Sequence, residues 1–126
     1  MRTILLLSLL LGSASVASAA RLSPDEQLAK ALNGRVAGEP QRCINLRAAN
    51  GSQIIDGRAI IFRVGSTLYV NTPRGGAETL RDDDVLVTEP FGAQLCEPEN
   101  VKLLDRDTGF VRGFVNLGEF VPYRRR

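Results

Sequence analysis

The sequence predicts a mainly β fold, a small single-domain barrel or sandwich of about six to seven short strands with one short N-terminal helix. From residue 40 onward, short apolar runs recur at about ten-residue spacing. Gly, Asn, Pro and Asp, which are common turn formers, separate these runs. Helical patterns do not alternate with the runs, so a parallel sheet with crossover helices is not expected.

One helix is predicted before the β-type region begins. The stretch Ser23-Pro24-Asp25-Glu26 combines a capping serine, a proline at the first helical position and a glutamate that completes a capping box. Leu28 and Leu32 share one face because they lie four residues apart. Asn33-Gly34 is typical of a helix end, which gives an element of about nine residues.

The strand predictions follow the apolar runs. Their ranges are 43–46, 58–64, 67–71, 84–88, 94–96, 101–104 and 110–117, the last being the predicted final strand. Gly65-Ser66 is expected to join the second and third runs as a hairpin, with Ile60, Phe62 and Val64 on one face. Asn50-Gly51 predicts a tight turn of its own.

The beginning of the chain has the three parts of a cleavable secretory signal. Arg2 supplies a positive charge, residues 4–11 form an apolar core, and small residues follow. Ala17-Ser18-Ala19 fits the requirement of signal peptidase for small side chains, so cleavage is expected after Ala19, with cleavage after Ala20 as the alternative.

The predicted domains are therefore a signal peptide, 1–19, and a β-rich domain, 20–126. A membrane anchor is not expected, because a helix needs about 20 apolar residues to cross the hydrocarbon core. A lipid anchor is not expected either, since the first cysteine is Cys43. We expect the protein to be periplasmic or secreted.

Cys43 and Cys96 are the two cysteines of the chain. Export brings them to a compartment where disulfides persist, and an even number makes an intramolecular bridge the default prediction. A reactive thiol and an intermolecular bridge are the alternatives. Neither cysteine lies in a Cys-x-x-Cys motif, so the usual signature of a redox role is missing.

The charge is close to balanced. The sequence has 16 Lys and Arg against 14 Asp and Glu, and loss of Arg2 with the signal lowers the net charge from +2 to +1. Such a balance argues against a partner recognised by the charge of the whole surface, and we expect no nucleic-acid partner. The one local cluster, Arg124–Arg126 after Tyr123, is able to touch phosphates, although a solvated end is the favoured interpretation.

The chain lacks the residues that several kinds of chemistry require. The chain has no histidine, which removes the commonest general base and the usual zinc ligand. It also has no phosphate-binding glycine loop and no dinucleotide fingerprint. We therefore predict no catalytic, cofactor-binding or metal-binding residues, and no cofactor.

Two acidic turns are the exceptions, because they keep calcium binding and carboxylate catalysis open as alternatives. Asp82-Asp83-Asp84 and Asp105-x-Asp107-x-Gly109 resemble parts of calcium loops, but both lack the later ligands, and solvent-facing acidic turns explain them equally well. Asn50-Gly51-Ser52 matches a glycosylation sequon, for which its turn role is sufficient explanation.

Five segments of the chain together form a recognisable pattern. They are Leu32-x-Gly34-Arg35-Val36-Ala37-Gly38-x-Pro40-x-x-Cys43-Ile44, Ala59 to Gly65, Leu68 to Asn71, Phe91-Gly92-x-Gln94-Leu95-Cys96 and Gly118-x-Phe120-Val121-Pro122-Tyr123. With these segments the chain resembles a family of small exported two-cysteine proteins of Gram-negative bacteria whose function is not established. The resemblance covers nearly all of the region after the signal. It implies periplasmic or secreted residence and a two-cysteine domain, and it carries over no catalytic residue.

Two hypotheses about function follow. The first is a non-enzymatic exported domain that binds a periplasmic protein or an envelope component, with exposed loop residues such as Arg74 contributing to binding. The alternative is a small carboxylate-dependent hydrolase or lyase, with Asp82–Asp84 and Asp105–Asp107 as candidate acids. The sequence does not specify the oligomeric state.

Overall fold

The computed structural model describes residues 11–13, 21–89 and 92–126. Apart from 11–13, the predicted signal peptide and its cleavage site lie outside the described residues. Within the described residues, no helix is long and apolar enough to cross a membrane.

The predicted N-terminal helix is confirmed as α1, Pro24–Ala31. The Ser23 hydroxyl oxygen accepts the backbone N–H of Glu26 at 3.2 Å, and the hydroxyl donates to the Glu26 carboxylate at 3.0 Å. Leu32 caps the other end, and Gly34 follows with a φ of 76°. The predicted cap Ser23 therefore begins the helix, and its end lies just before the predicted Asn33-Gly34.

The mainly β prediction is also confirmed, with more strands than expected. The described residues form β1 (Arg35–Ala37), β2 (Cys43–Asn45), β3 (Ala49–Ile55), β4 (Ala59–Val64), β5 (Thr67–Asn71), β6 (Val85–Val87), β7 (Gln94–Cys96), β8 (Asn100–Leu104), β9 (Val111–Asn116) and β10 (Phe120–Arg125). Two short 3-10 helices, Leu46–Ala48 and Ala77–Thr79, connect some of them.

All strand pairs of the described sheets are antiparallel. The largest sheet has the order β1-β10-β5-β4-β3, a second has the order β6-β8-β9, and β2 pairs with β7. In the described part of the chain these sheets do not close into a barrel, and their arrangement resembles a sandwich.

The five-stranded sheet is covered on both faces. Ile60 and Phe62 of β4 point to a core shared with the other two sheets, whereas Ile61 points to the face that α1 covers. This alternation follows from the two-residue period of a strand. The predicted shared face of Ile60 and Phe62 is confirmed, and Val64 at its end is only half-buried.

The larger core joins all three sheets. The fully buried Phe120 of β10 meets Phe62 edge to face, with ring centroids 5.8 Å apart. Residues of the other sheets complete this core: Ile44, Leu95, Val101, Leu103 and Val115. On the opposite face, Leu28, Ala31 and Leu32 of the α1 segment pack on the second core. The predicted apolar face of the helix is thus its packing face.

The hairpin at Gly65-Ser66 is confirmed, because Val64 pairs with Thr67 across this two-residue loop. The tight turn predicted at Asn50-Gly51 is wrong. These residues lie inside β3, where the register with β4 shifts between Ala49 and Ser52. Gly51 has a φ of 130°, which a glycine tolerates in a bulge. Pairing with β4 has therefore outweighed the local turn preference.

The strand predicted at 110–117 is confirmed as β9, Val111–Asn116, but the prediction that it is the last strand is wrong. β9 ends at Asn116, and β10 follows and pairs with both β1 and β5. Pro122 disfavours a strand in the sequence because it lacks an N–H. Here the Pro122 carbonyl accepts the N–H of Gly38, just past the end of β1, at 2.7 Å. The N–H that Pro122 lacks would point to the same side as this carbonyl, toward β1. Pairing with β5 on the other side therefore loses no hydrogen bond.

The predicted bridge between Cys43 and Cys96 is present. The two residues are direct partners in the β2–β7 pair, and the neighbouring pair is joined by the hydrogen bond from Glu97 N–H to Arg42 O at 2.9 Å. Hydrogen-bonded and non-bonded pairs alternate along an antiparallel ladder, so the cysteines occupy a position where side chains approach most closely. Their Cα atoms are 4.0 Å apart.

Replacing both Cys43 and Cys96 by Ala is expected to lower the free energy of unfolding by up to about 4 kcal/mol, because the bridge closes a long loop in the unfolded chain. Urea unfolding of the purified protein measures the loss. The single variant Cys96→Ala is the control and should lose a similar amount. A double variant as stable as the parent would contradict the expectation.

Candidate functional site

The outer face of the β6-β8-β9 sheet carries apolar side chains. In β8, Val101 and Leu103 are completely buried in the core, so the pleat turns Lys102 and Leu104 to the other side. The register then aligns two rows across the sheet, Val87–Lys102–Phe114 and Val85–Leu104–Val111. We call these six residues the outer face. Five of the six are apolar.

Part of the outer face is open to solvent. Phe114 is 55 % exposed and Val111 is 52 % exposed, and Phe110, which immediately precedes β9, is 75 % exposed. Exposing the rings of Phe110 and Phe114 to water is unfavourable, and neither ring packs in the two cores of the described residues. Such a patch is typical of a surface that binds another molecule.

A shallow cavity of about 360 Å³ lies on the outer face between Val87, Lys102 and Phe114. Glu89 and Glu99 stand at its rim, and the Lys102 ammonium lies 3.1 Å from the Glu89 carboxylate. The cavity therefore combines an apolar wall with a rim in which carboxylates outnumber ammonium groups.

An ion pair joins Arg112 of β9 to Asp84, the residue that precedes β6. Arg112 donates through Nε to Oδ1 of Asp84 at 2.9 Å and through Nη2 to Oδ2 at 2.5 Å. Nη2 also donates to the Thr79 carbonyl at 2.8 Å. The hydrogen bonds to the Asp84 carboxylate raise the pKa of Arg112 above its usual value. The Asp84 side chain is almost completely buried, and both of its carboxylate oxygens bind Arg112. This candidate acid is therefore one half of a bidentate ion pair.

Asp82 and Asp84, which the sequence named as candidate acids, line one polar cleft of about 430 Å³ between β3 and β6. Asp82 contacts the Arg21 guanidinium, and its backbone N–H donates to Asp56 at 2.6 Å. Asp83 is exposed, and its carbonyl accepts Arg106 Nε at 3.1 Å. The structure thus brings two of the acids together, each already paired with an arginine.

In the second acidic turn, residues 105–109, the first carboxylate binds the backbone of the turn itself. Oδ1 of Asp105 accepts the N–H groups of Asp107 and Thr108, both at 2.9 Å. These bonds favour the charged carboxylate and lower the pKa of Asp105 below its ordinary value. Asp105 and Asp107 do not line the cleft that Asp82 and Asp84 share. In the described residues, no group of three or more acidic or cysteine side chains is placed to hold a metal ion.

Arg74, the loop residue that the sequence offered for partner binding, has an internal contact. Its Nη2 lies 2.9 Å from Oε2 of Glu97, the buried residue next to Cys96. Arg42 approaches the other Glu97 oxygen at 3.6 Å. Replacing Arg74 would disturb this buried carboxylate, so the residue is a poor probe of binding.

Sequence reasoning missed Val111 and Phe114 as surface residues. One signal was present in the run from Val111 to Asn116, where the neighbours Phe114 and Val115 are both apolar. Adjacent strand residues face opposite sides, so such a pair indicates apolar surface on both faces. Identifying the solvent-facing side required the partner register of β8.

Comparison with known proteins gives no family for this chain. No protein-family model, no curated protein and no solved structure matches it. The resemblance to exported two-cysteine proteins therefore stays a prediction from the residues, and the outer face is described from this chain alone.

The pKa of the Asp105 carboxyl should be lower in the folded than in the unfolded protein, because its charged form accepts two backbone N–H groups. A group whose pKa is lowered on folding stabilises the fold above its unfolded pKa. That contribution is lost as the pH falls through the folded pKa. Carboxyl-detected NMR titration measures the midpoint, and the same carboxyl in urea-unfolded protein is the control. A folded midpoint at or above the unfolded one would refute the turn geometry.

Proposed function

We propose that the chain is an exported, non-enzymatic domain that binds a periplasmic protein through the outer face of the β6-β8-β9 sheet. The observation that carries the proposal is the exposure of Val111 and Phe114 on a sheet whose opposite face is already used by the core. Interfaces between proteins commonly have aromatic side chains at an apolar centre with a polar rim.

Export is supported by the sequence pattern of residues 1–19 and by the disulfide. The first described helix begins at Pro24, so cleavage after Ala19 would remove no helix or strand of the described fold. The exported form would keep both cores and the outer face intact.

Charge at the rim indicates the chemistry of the partner. Glu89 pairs with Lys102, whereas the Glu99 carboxylate accepts the backbone N–H of Cys96 at 2.5 Å and has no cation partner in the described residues. One negative charge is therefore in excess beside the apolar wall. A protein segment with an apolar or aromatic side chain next to Lys or Arg complements this arrangement. Anionic lipid headgroups do not, because they would face the two glutamates.

The alternative, a carboxylate-dependent hydrolase or lyase, receives less support. Such an enzyme needs one carboxyl that holds a proton and another that is free to act on substrate. Both oxygens of Asp84 are engaged by Arg112. The lowered pKa of Asp105 is opposite to the direction that a general acid requires.

A photo-cross-linking amino acid placed at Val111 tests the proposal in cells that export the protein. We expect one discrete cross-linked product with a periplasmic protein, joined at a segment with an apolar residue next to Lys or Arg. The additional substitution Phe114→Ser should reduce its yield at least tenfold, which corresponds to about 1.4 kcal/mol of binding free energy.

The matched control is the same cross-linker at Val36, a valine of β1 that is 49 % exposed and lies in the five-stranded sheet. Position 36 should give no such product. Equal products from positions 36 and 111, a product with lipid, or a product made only of two copies of this chain would contradict the proposal.

A further inference from the structure

A second surface, beyond the C-terminal end of α1, is strongly basic. Arg35, Arg63, Arg125 and Arg126 line one concavity of about 440 Å³. Among the described residues no acidic side chain lines it, and the buried Leu68 contributes part of the wall. We call this concavity the arginine cleft. It gathers four of the basic residues of a chain whose net charge is only +2.

Strand register explains why arginines from distant segments meet. Arg35 of β1 lies directly opposite Arg125 of β10, and Arg63 of β4 is paired with Leu68 of β5. Arg63 and Arg125 have the same strand parity as Ile61 and Tyr123, which pack on the helix-covered face. The N–H of Arg126 donates to the carbonyl of Gly34 at 3.4 Å and keeps the last residue near the end of α1.

This arrangement places like charges close together. Like charges directly opposite in a strand pair repel, and Arg35 faces Arg125 in this way. Five other arginines of the fold pair with carboxylates: Arg21, Arg42, Arg58, Arg74 and Arg112. In the described part of the chain, no carboxylate lies within ion-pair distance of the four cleft arginines.

Within residues 21–89 and 92–126, protein acceptors engage one of these guanidinium groups, that of Arg35. Arg35 donates through Nη1 to the carbonyls of Ser66 and Tyr123, at 2.8 and 3.2 Å. Arg63 and Arg125 are exposed, and within the described residues their side chains donate to no protein acceptor. The negative end of the α1 dipole favours nearby cations, but it does not explain two arginines placed directly opposite each other.

We propose that the arginine cleft binds a phosphate group with at least two negative charges, from a free phosphate compound or a phosphorylated lipid headgroup. Guanidinium groups form paired hydrogen bonds with phosphate oxygens, and several arginines around one concavity are able to surround such a group. The cleft lies on the helix-covered side of the five-stranded sheet, whereas the outer face belongs to a sheet packed on the other side. A negative result at one site therefore does not bear on the proposal for the other site.

Calorimetric titration of the purified protein with inorganic pyrophosphate tests the site. We expect saturable binding with one pyrophosphate per chain, weakened at least tenfold by Arg63→Gln or Arg125→Gln. The matched control is Arg47→Gln, which removes the same charge from an exposed arginine outside the cleft. Absence of saturation in the parent, or equal weakening by Arg47→Gln, would overturn the proposal.

Urea unfolding gives a second readout that does not depend on detecting heat. Arg125→Gln should unfold at a higher urea concentration than the parent without phosphate, because it removes the repulsion with Arg35. Pyrophosphate should raise the midpoint of the parent and leave that of Arg125→Gln nearly unchanged. A variant that is less stable than the parent and responds equally to pyrophosphate would contradict the inference.

Vesicles distinguish the two sources of phosphate. Retention on phosphatidic acid vesicles, whose phosphomonoester headgroup carries up to two negative charges, but not on phosphatidylcholine vesicles, would assign a lipid headgroup if pyrophosphate reverses it. Pyrophosphate binding without retention would assign a free phosphate compound. Retention that neither pyrophosphate nor Arg125→Gln reduces would overturn the cleft as the phosphate site.

Discussion

The fold depends on covering β4 on both sides. Four consecutive residues of this strand, Ala59 to Phe62, are buried, and alternate side chains point to opposite faces. A sheet with apolar side chains on both faces needs a layer on each of them. α1 supplies one layer, and the sheets that contain β7 and β8 supply the other. The disulfide joins the two strands of the smallest sheet in that second layer.

This layering determines which surfaces remain available. The β6-β8-β9 sheet uses one face to cover the core and presents the other to solvent, which is where Val111 and Phe114 lie. α1 covers only part of its side of the large sheet, and the arginine cleft lies beyond the end of the helix. One surface is apolar with acidic groups at its rim, and the other is basic. The two proposed sites therefore differ in chemistry.

Local signals predicted the elements that depend on neighbouring residues. The capping serine and Pro24 located α1, and Gly65-Ser66 located a hairpin, because both features are decided within a few residues. Asn50-Gly51 failed because distant pairing with β4 decided its conformation. β10 was missed because the effect of Pro122 depends on which side its absent N–H faces. The sequence favours a solvated end for Arg124–Arg126, and the three residues are exposed. Their neighbours Arg35 and Arg63 could not be predicted, because they approach Arg125 only once the sheet has formed.

Hydrogen exchange of the native protein, followed by NMR at individual amides, tests the two-sided covering of β4 most directly. The account predicts that the amides of Ile60, Ile61 and Phe62 are the slowest to exchange and do so only through global unfolding. Amides of the terminal strand β1 should exchange much faster, through local opening. If the β4 amides exchanged as fast as those of β1, the central sheet would not be the covered layer on which the other elements are built.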